Sequence, residues 1–204
     1  MKVILSLAMA VTVFASSSLM AIEEAKYRVV LKDGPIEIRN YEPSIVAETV
    51  VSGEFEDAGD SAFRRLFRYI DGNNVSQEEI AMTAPVSQGR SEKIAMTSPV
   101  GQQSAPGGWA VSFMMPASYT METIPEPKDD SVAIREVPAY RAAAIRYSGF
   151  WSEKNYQEHL TELNAWLDAN DYQRAGEPVW ARYDAPFKPW FMRRNEILIP
   201  VEDD

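Results

Sequence analysis

One pattern occurs twice in this chain, and it limits the possible folds more than any other feature. Ile36-Glu37-Ile38-Arg39 opens a strand-like stretch that ends at Val51-Ser52-Gly53, and Val132-Ala133-Ile134-Arg135 opens a second that ends at Tyr147-Ser148-Gly149. The two copies lie 96 residues apart, both at their first residue and at the glycine. An aromatic follows each glycine (Phe55, then Phe150-Trp151), and after it come a polar link and an amphipathic helix. The first helix carries the apolar stripe Ala62, Phe63, Leu66, Phe67 and Ile70, the second Tyr156, Leu160, Leu163, Trp166 and Leu167. Steps of three and four residues give each helix one face to bury. Extended sequence returns after each helix, at 80–86, 94–100 and 109–115 and again at 178–183 and 196–201.

The unit therefore reads ββαββ, twice over. It lacks the strict strand–helix alternation of a parallel sheet, and predicts an α+β fold with an antiparallel sheet or barrel carrying two packed helices. The period is far too long for a solenoid. Ile124-Pro125-Glu126-Pro127 joins the halves, and neither half holds enough sheet to stand free. One domain over residues 22–204 is expected, with pseudo-repeats at about 27–123 and 128–204.

The first 21 residues have a different character. Lys2 precedes an uncharged apolar run from Val3 to Ala15, followed by Ser16-Ser17-Ser18 and Leu19-Met20-Ala21. That order of charge, apolar run and small residues predicts a cleaved signal peptide and an exported protein, periplasmic or secreted. The run is short for a bilayer span, which takes about 20 apolar residues. Cleavage after Ala21 fits best, with Ala15 as the other site, and leaves 183 of the 204 residues. That length supports one domain with a real core.

With no cysteine in the chain, stability has to come from burial without disulfides, and thiolate catalysis and iron–sulfur ligation are excluded. Only one of the 20 basic residues falls in the leader, so the remainder carries a net charge of −11. Such a surface repels phosphate backbones and anionic membranes, so nucleic acid is not an expected partner and no stable membrane insertion follows cleavage. The expected state is a monomer.

Two further motifs stand out. Ile80-Ala81-Met82-Thr83-Ala84-Pro85-Val86 is echoed by Ile94-Ala95-Met96-Thr97-Ser98-Pro99-Val100 across Ser87-Gln88-Gly89-Arg90, which predicts a hairpin. A proline in each strand sets it near a strand end or sheet edge. Met82 and Met96 fit two roles, filling core gaps or lining an adaptable apolar cleft. Near the C-terminus, Phe187-Lys188-Pro189-Trp190 lies between prolines and leads to Arg193-Arg194-Asn195-Glu196 and the last strand.

The Met-Thr-Ala-Pro-Val strand, the Phe-Lys-Pro-Trp loop, the Arg-Arg-Asn-Glu segment and the strand ending in Ser-Gly before the second helix together resemble the SOUL haem-binding protein family, from about Tyr27 to Val201. The resemblance implies a distorted antiparallel β-barrel built from a duplicated unit, with two helices outside. It also implies non-covalent tetrapyrrole binding, with haem not required for folding. Haem needs an apolar, aromatic slot with basic groups for its propionates. The first helix offers Phe63, Leu66 and Phe67 beside Arg64, Arg65 and Arg68. On composition alone those arginines fit a solvated face equally well. The family places propionate contacts at positions that read here as Arg65, Arg68 and Lys188, while Asp60 and Ser61 stand where earlier basic residues would be expected. Met82 completes the expected lining. His159, the single histidine, is the one weak candidate for an iron ligand and reads more naturally as a partly buried packing residue.

Three classes of function fit the sequence: a haem carrier or buffer, a binding module for another amphipathic small molecule or a protein, and an enzyme. With one histidine no His–Ser or His–Asp constellation can be read, and no Gly-rich phosphate loop is present, so the expected role is binding and not catalysis.

Overall fold

In the computed structural model, which describes residues 22–77 and 91–203, the repeated stretches fold as paired strands. The first part of the chain forms β1 (Glu23–Glu24), β2 (Tyr27–Asp33), β3 (Ile36–Tyr41), β4 (Ser44–Val51), helix α1 (Phe55–Ile70), β5 (Asn74–Val75), β6 (Thr97–Ser98), β7 (Val100–Ala105) and β8 (Gly108–Met114). The second part forms β9 (Glu126–Pro127), β10 (Ala133–Val137), β11 (Tyr140–Tyr147), helix α2 (Glu153–Ala169), β12 (Val179–Arg182), a 3-10 turn at Trp190–Met192 and β13 (Asn195–Pro200). Among the described residues no helix is long and apolar enough to cross a membrane. The expected leader, residues 1–21, lies outside the described residues.

Nine strands form one antiparallel sheet in the order β10-β4-β8-β7-β12-β13-β11-β3-β2. β3 and β4 are joined only by Glu42-Pro43, and β10 and β11 only by Pro138-Ala139, yet each pair sits at opposite ends of the sheet. Two residues span only about 7 Å of chain, so the sheet has to curl until its ends approach. The result is a curled half-barrel with two helices, the expected α+β distorted barrel. The two prolines end their strands cleanly because neither can donate a ladder hydrogen bond.

Both helices cover one face of the sheet. Gly53 and Gly149 turn the chain into them with φ of 125° and 130°, a region open mainly to glycine, which explains why the same residue recurs at the same place. Glu56 and Asp57 in the first turn of α1 and Arg68 in its last complement the helix dipole, and the Ser152 side chain caps α2 by accepting from the Asn155 N–H. Under α1 the core gathers Leu66, Ala62, Val111 and Phe113; under α2 it gathers Leu163, Leu167, Ile145, Ile197 and Trp180. Phe55 ties the two together, its ring 4.8 Å from that of Trp180, 5.2 Å from Tyr156 and 5.0 Å from Trp109.

Period-two alternation sends the intervening residues to the opposite face. There Glu196, fully buried, accepts from Arg39 at 2.6 and 3.3 Å, from Arg194 at 2.9 Å and from the Tyr183 hydroxyl at 3.0 Å. Burial alone would lower the Arg39 pKa; the Glu196 carboxylate outweighs it and raises it. Tyr41, packed on Tyr140 at 4.9 Å, completes this polar layer.

Two details depart from the sequence expectations. The α1 stripe is rotated: its buried residues are Phe55, Ala58, Gly59, Ala62, Leu66, Tyr69 and Ile70, while Phe63 is half-buried and Phe67 exposed. Of the segment 94–100, Thr97–Ser98 forms a short parallel pair with β1. The expected hairpin partner, 80–86, lies outside the described residues, and so does Met82.

Candidate functional site

The rotation of α1 is what creates a site. Helical geometry puts Phe63 and Phe67 on one face, one turn apart. Their rings stack at 6.1 Å, and Phe63 is fixed edge-on against Phe113 at 5.2 Å. Beyond Phe113 that aromatic face does not close on the sheet. It forms one wall of a cavity of about 330 Å³ where β7 meets β12. Met96, Thr97 and Val100 supply a second wall, Trp151 a third, and the segment Tyr183–Phe187 the rim. Phe187 is 90% exposed there.

Arg182 also lines this cavity. It is the last residue of β12 and shares the helix-facing side of that strand with Trp180, so its side chain rises into the core and not into water. Only 9% of it is exposed. Its guanidinium carbon lies 4.8 Å from the Trp180 ring centre and 5.3 Å from that of Trp151. Among the described residues its Nε and Nη2 have no hydrogen-bond partner. Burial pushes its pKa down, to about 10, against the pull of the Asp60 charge, so it is charged at neutral pH. Gly59 makes room for it: a Cβ there would sit 3.1 Å from Nη2, 3.2 Å from Nη1 and 2.9 Å from Gln102 Oε1.

A larger cavity of about 610 Å³ lies on another part of the surface. Glu23, Glu24, Glu42, Glu122 and Glu136 line it with Lys26, so its field repels carboxylates. The slot under α1 is the better site for an apolar acid.

The geometry now bears on the family. Residues 22–200 match the family described as SOUL heme-binding protein. The chain belongs to the SOUL family. Over 168 residues this SOUL protein is 28% identical to Heme-binding protein 1 of Xenopus tropicalis, covering 81% of this chain and 84% of that one. It is 27% identical to Heme-binding protein 2 of Homo sapiens over 173 residues, 80% of each chain. Among solved structures, the C-terminal domain of EcmrR aligns with a TM-score of 0.55 at 13% identity, covering 87% of this chain and 99% of that one, which shows a shared fold.

Of the residues singled out in the sequence, the SOUL fold brings Phe63 and Phe67 together in the slot, and Met96 with them. Leu66 lies in the core under α1, fully buried. Arg65, two positions on from Phe63, turns to another side of the helix, donates to Thr49 Oγ1 at 2.8 Å and lies 3.8 Å from Asp129. Arg68 is exposed and donates to the Arg64 carbonyl at 3.3 Å. Lys188 stands beside the rim, held by Asp184 at 2.6 Å. His159 is on α2, its ring stacked on Tyr147 at 4.0 Å and its Nδ1 2.8 Å from the Asn155 carbonyl oxygen. Among the described residues no group of three or more acidic or histidine side chains could hold a metal ion.

Arg182 and Trp151 were not singled out. The signal for Arg182 was present: in Val179-Trp180-Ala181-Arg182 an arginine shares strand phase with a core tryptophan, so alternation alone places a charge on the buried face.

Proposed function

We propose that this SOUL protein binds haem or a closely related tetrapyrrole, non-covalently, in the slot between α1 and the β7–β12 contact. Its role is that of a carrier or buffer and not a catalyst. The observation that carries the reading is the lining: Phe63, Phe67, Trp151 and Met96 present aromatic and thioether surface around one buried guanidinium. A volume of about 330 Å³ falls within the size of small-molecule pockets, about 300–1,000 Å³. A porphyrin is flat and apolar with carboxylates at one edge, and this combination of walls and charge suits it. Membership of a family described by heme binding, and relatives named for heme binding, support the same ligand. Haem in such a slot is held by burial and polar contacts to its periphery, and His159, stacked on Tyr147, takes no part in the slot.

The charge-apolar-small order of residues 1–21 supports action outside the cytoplasm. A native protein whose measured mass begins near Ile22 supports that location; a mass retaining Met1 to Ala21 refutes it. The ligand is tested by titrating haemin into the purified protein. The expected result is a saturable 1:1 shift of the Soret band with a rise in melting temperature. Neither change at micromolar protein and excess haemin refutes the reading.

A further inference from the structure

Arg182 stands apart from every other cation of the chain that the structure describes as buried. Arg39, the other arginine of comparable burial, is saturated by Glu196, Glu37 and Tyr41. Arg182 has two indoles within cation–π distance, Trp180 and Trp151, and two donor atoms with no hydrogen-bond partner among the described residues. A buried charge of that kind is strongly unfavourable unless something neutralises it. Asp60, across the slot on α1, contributes through its charge. Near Arg182, Gln102 keeps an unbonded Oε1 while its Nε2 donates to the Phe55 carbonyl at 2.7 Å. Arg182 is one of the residues that line the cavity.

We infer that Arg182 is the carboxylate anchor of the slot, receiving one acid group of the ligand on its guanidinium, so that the ligand enters acid-end first and its apolar body lies along Phe63 and Phe67. The inference rests on the slot being the ligand site proposed above. A carboxylate matches the planar fork of an arginine bidentately, which a lysine does not reproduce, and burial shields that pair from water as an exposed arginine cannot. It also neutralises a buried charge that has no ion-pair partner among the described residues. The ligand class is thereby narrowed from flat apolar molecules to flat or elongated apolar acids, and the discriminating group sits at the inner end of the site, not at its solvent edge.

The test compares haemin with haemin dimethyl ester, which has the same ring and iron without free carboxylates. Both are titrated into the wild-type protein and into Arg182→Gln. The wild type should bind haemin at least tenfold more tightly than the ester. Arg182→Gln should bind both alike, with ester affinity unchanged, and its melting temperature should equal or exceed that of the wild type because an unpaired charge has been removed. Since the ratio is internal to each protein, a loss of folded material cannot mimic the result. A preference for the acid that survives in Arg182→Gln overturns the inference and leaves haem binding standing. If neither porphyrin binds the wild type, the haem reading fails, and cis-parinaric acid against its methyl ester on the same two proteins decides Arg182 separately. Preference for the fatty acid, lost in Arg182→Gln, sustains the anchor; equal binding or none overturns it.

Discussion

Replacing Glu196 with leucine removes the acceptor for three side chains on the face of the sheet away from the helices. Arg39 is 2% exposed and loses contacts of 2.6 and 3.3 Å; Arg194 loses one of 2.9 Å and Tyr183 one of 3.0 Å. Stranding one member of a buried ion pair costs about 3–5 kcal/mol. Arg39 keeps Glu37 at 2.9 Å and Tyr41 at 3.1 Å, and Arg194 keeps Glu24 at 2.7 Å near the surface, which sets the expected loss at the lower end, about 3 kcal/mol. The double substitution Arg39→Met with Glu196→Leu removes both buried charges and refills the space with apolar groups. It should cost less than either single change, at about 1 kcal/mol or below. Urea unfolding of the four proteins, followed by tryptophan fluorescence with the slope compared across them, measures the cycle. A single-mutant loss under about 1 kcal/mol, or a double mutant equal to the sum of the singles, would refute the claim that this carboxylate holds the layer together.

Four further outcomes are expected. Leu66→Ala should lose about 2–5 kcal/mol of stability, as a fully buried leucine does. Phe67 lines the slot and is 42% exposed in all, roughly 80 Å² of a large aromatic, so Phe67→Ala should weaken haemin by up to about 2 kcal/mol, some thirtyfold, in a fluorescence-quenching titration. Arg65→Ala with Arg68→Ala, and separately His159→Ala, should leave the haemin dissociation constant within about threefold, since none of the three lines the cavity; a tenfold loss in either protein would relocate the site. Burial pushes the phenols of Tyr140 and Tyr156 up to about 12. A raised folded-state pKa means that stability is complete below the unfolded tyrosine value of about 10 and is lost as pH climbs towards 12. Absorbance at 295 nm should therefore show a late phase coinciding with loss of near-ultraviolet circular dichroism, and all nine tyrosines ionising in one step near pH 10 with the fold intact would count against it.

The elements legible in the sequence were those with strong periodicity. Both helices, β4, β8 and β13 follow from apolar spacing alone, and the glycine before each helix follows from its positive φ. β7 was not legible beyond its first residue. Val100-Gly101-Gln102-Gln103-Ser104-Ala105 has no apolar alternation, because Gln102 is buried by a hydrogen bond to Phe55 and Gly101 is there for closeness, a Cβ falling 2.9 Å from Ser112 Oγ. The slot failed to appear for a related reason. Phe63 and Phe67 carry the same apolar signal as Leu66, and spacing cannot tell a face that meets the sheet from one that meets a cavity. Only the curl of the sheet at β7 and β12 decides it. Arg182 was overlooked because a single charge at the end of a short strand looks like a strand terminus. The Arg-Arg-Asn-Glu segment was recognised as a pattern, but that Glu196 is the hub for Arg39, 157 residues away, is a fact of register between β3, β11 and β13.

The strand order also constrains how the chain can be made. β3 is sheet-bonded to β11 and β4 to β10, so each of the first strands to emerge from a ribosome has a partner encoded about 90 residues or more later. Until β11 is synthesised β3 has only β2 beside it, and until β10 is synthesised β4 leaves one edge open to any passing strand. Loops must close over long spans of sequence before these pairings stabilise anything, which is the condition for slow folding. The nascent chain therefore has no autonomous N-terminal half to complete, and commitment to the native state is delayed until translation is well past its midpoint.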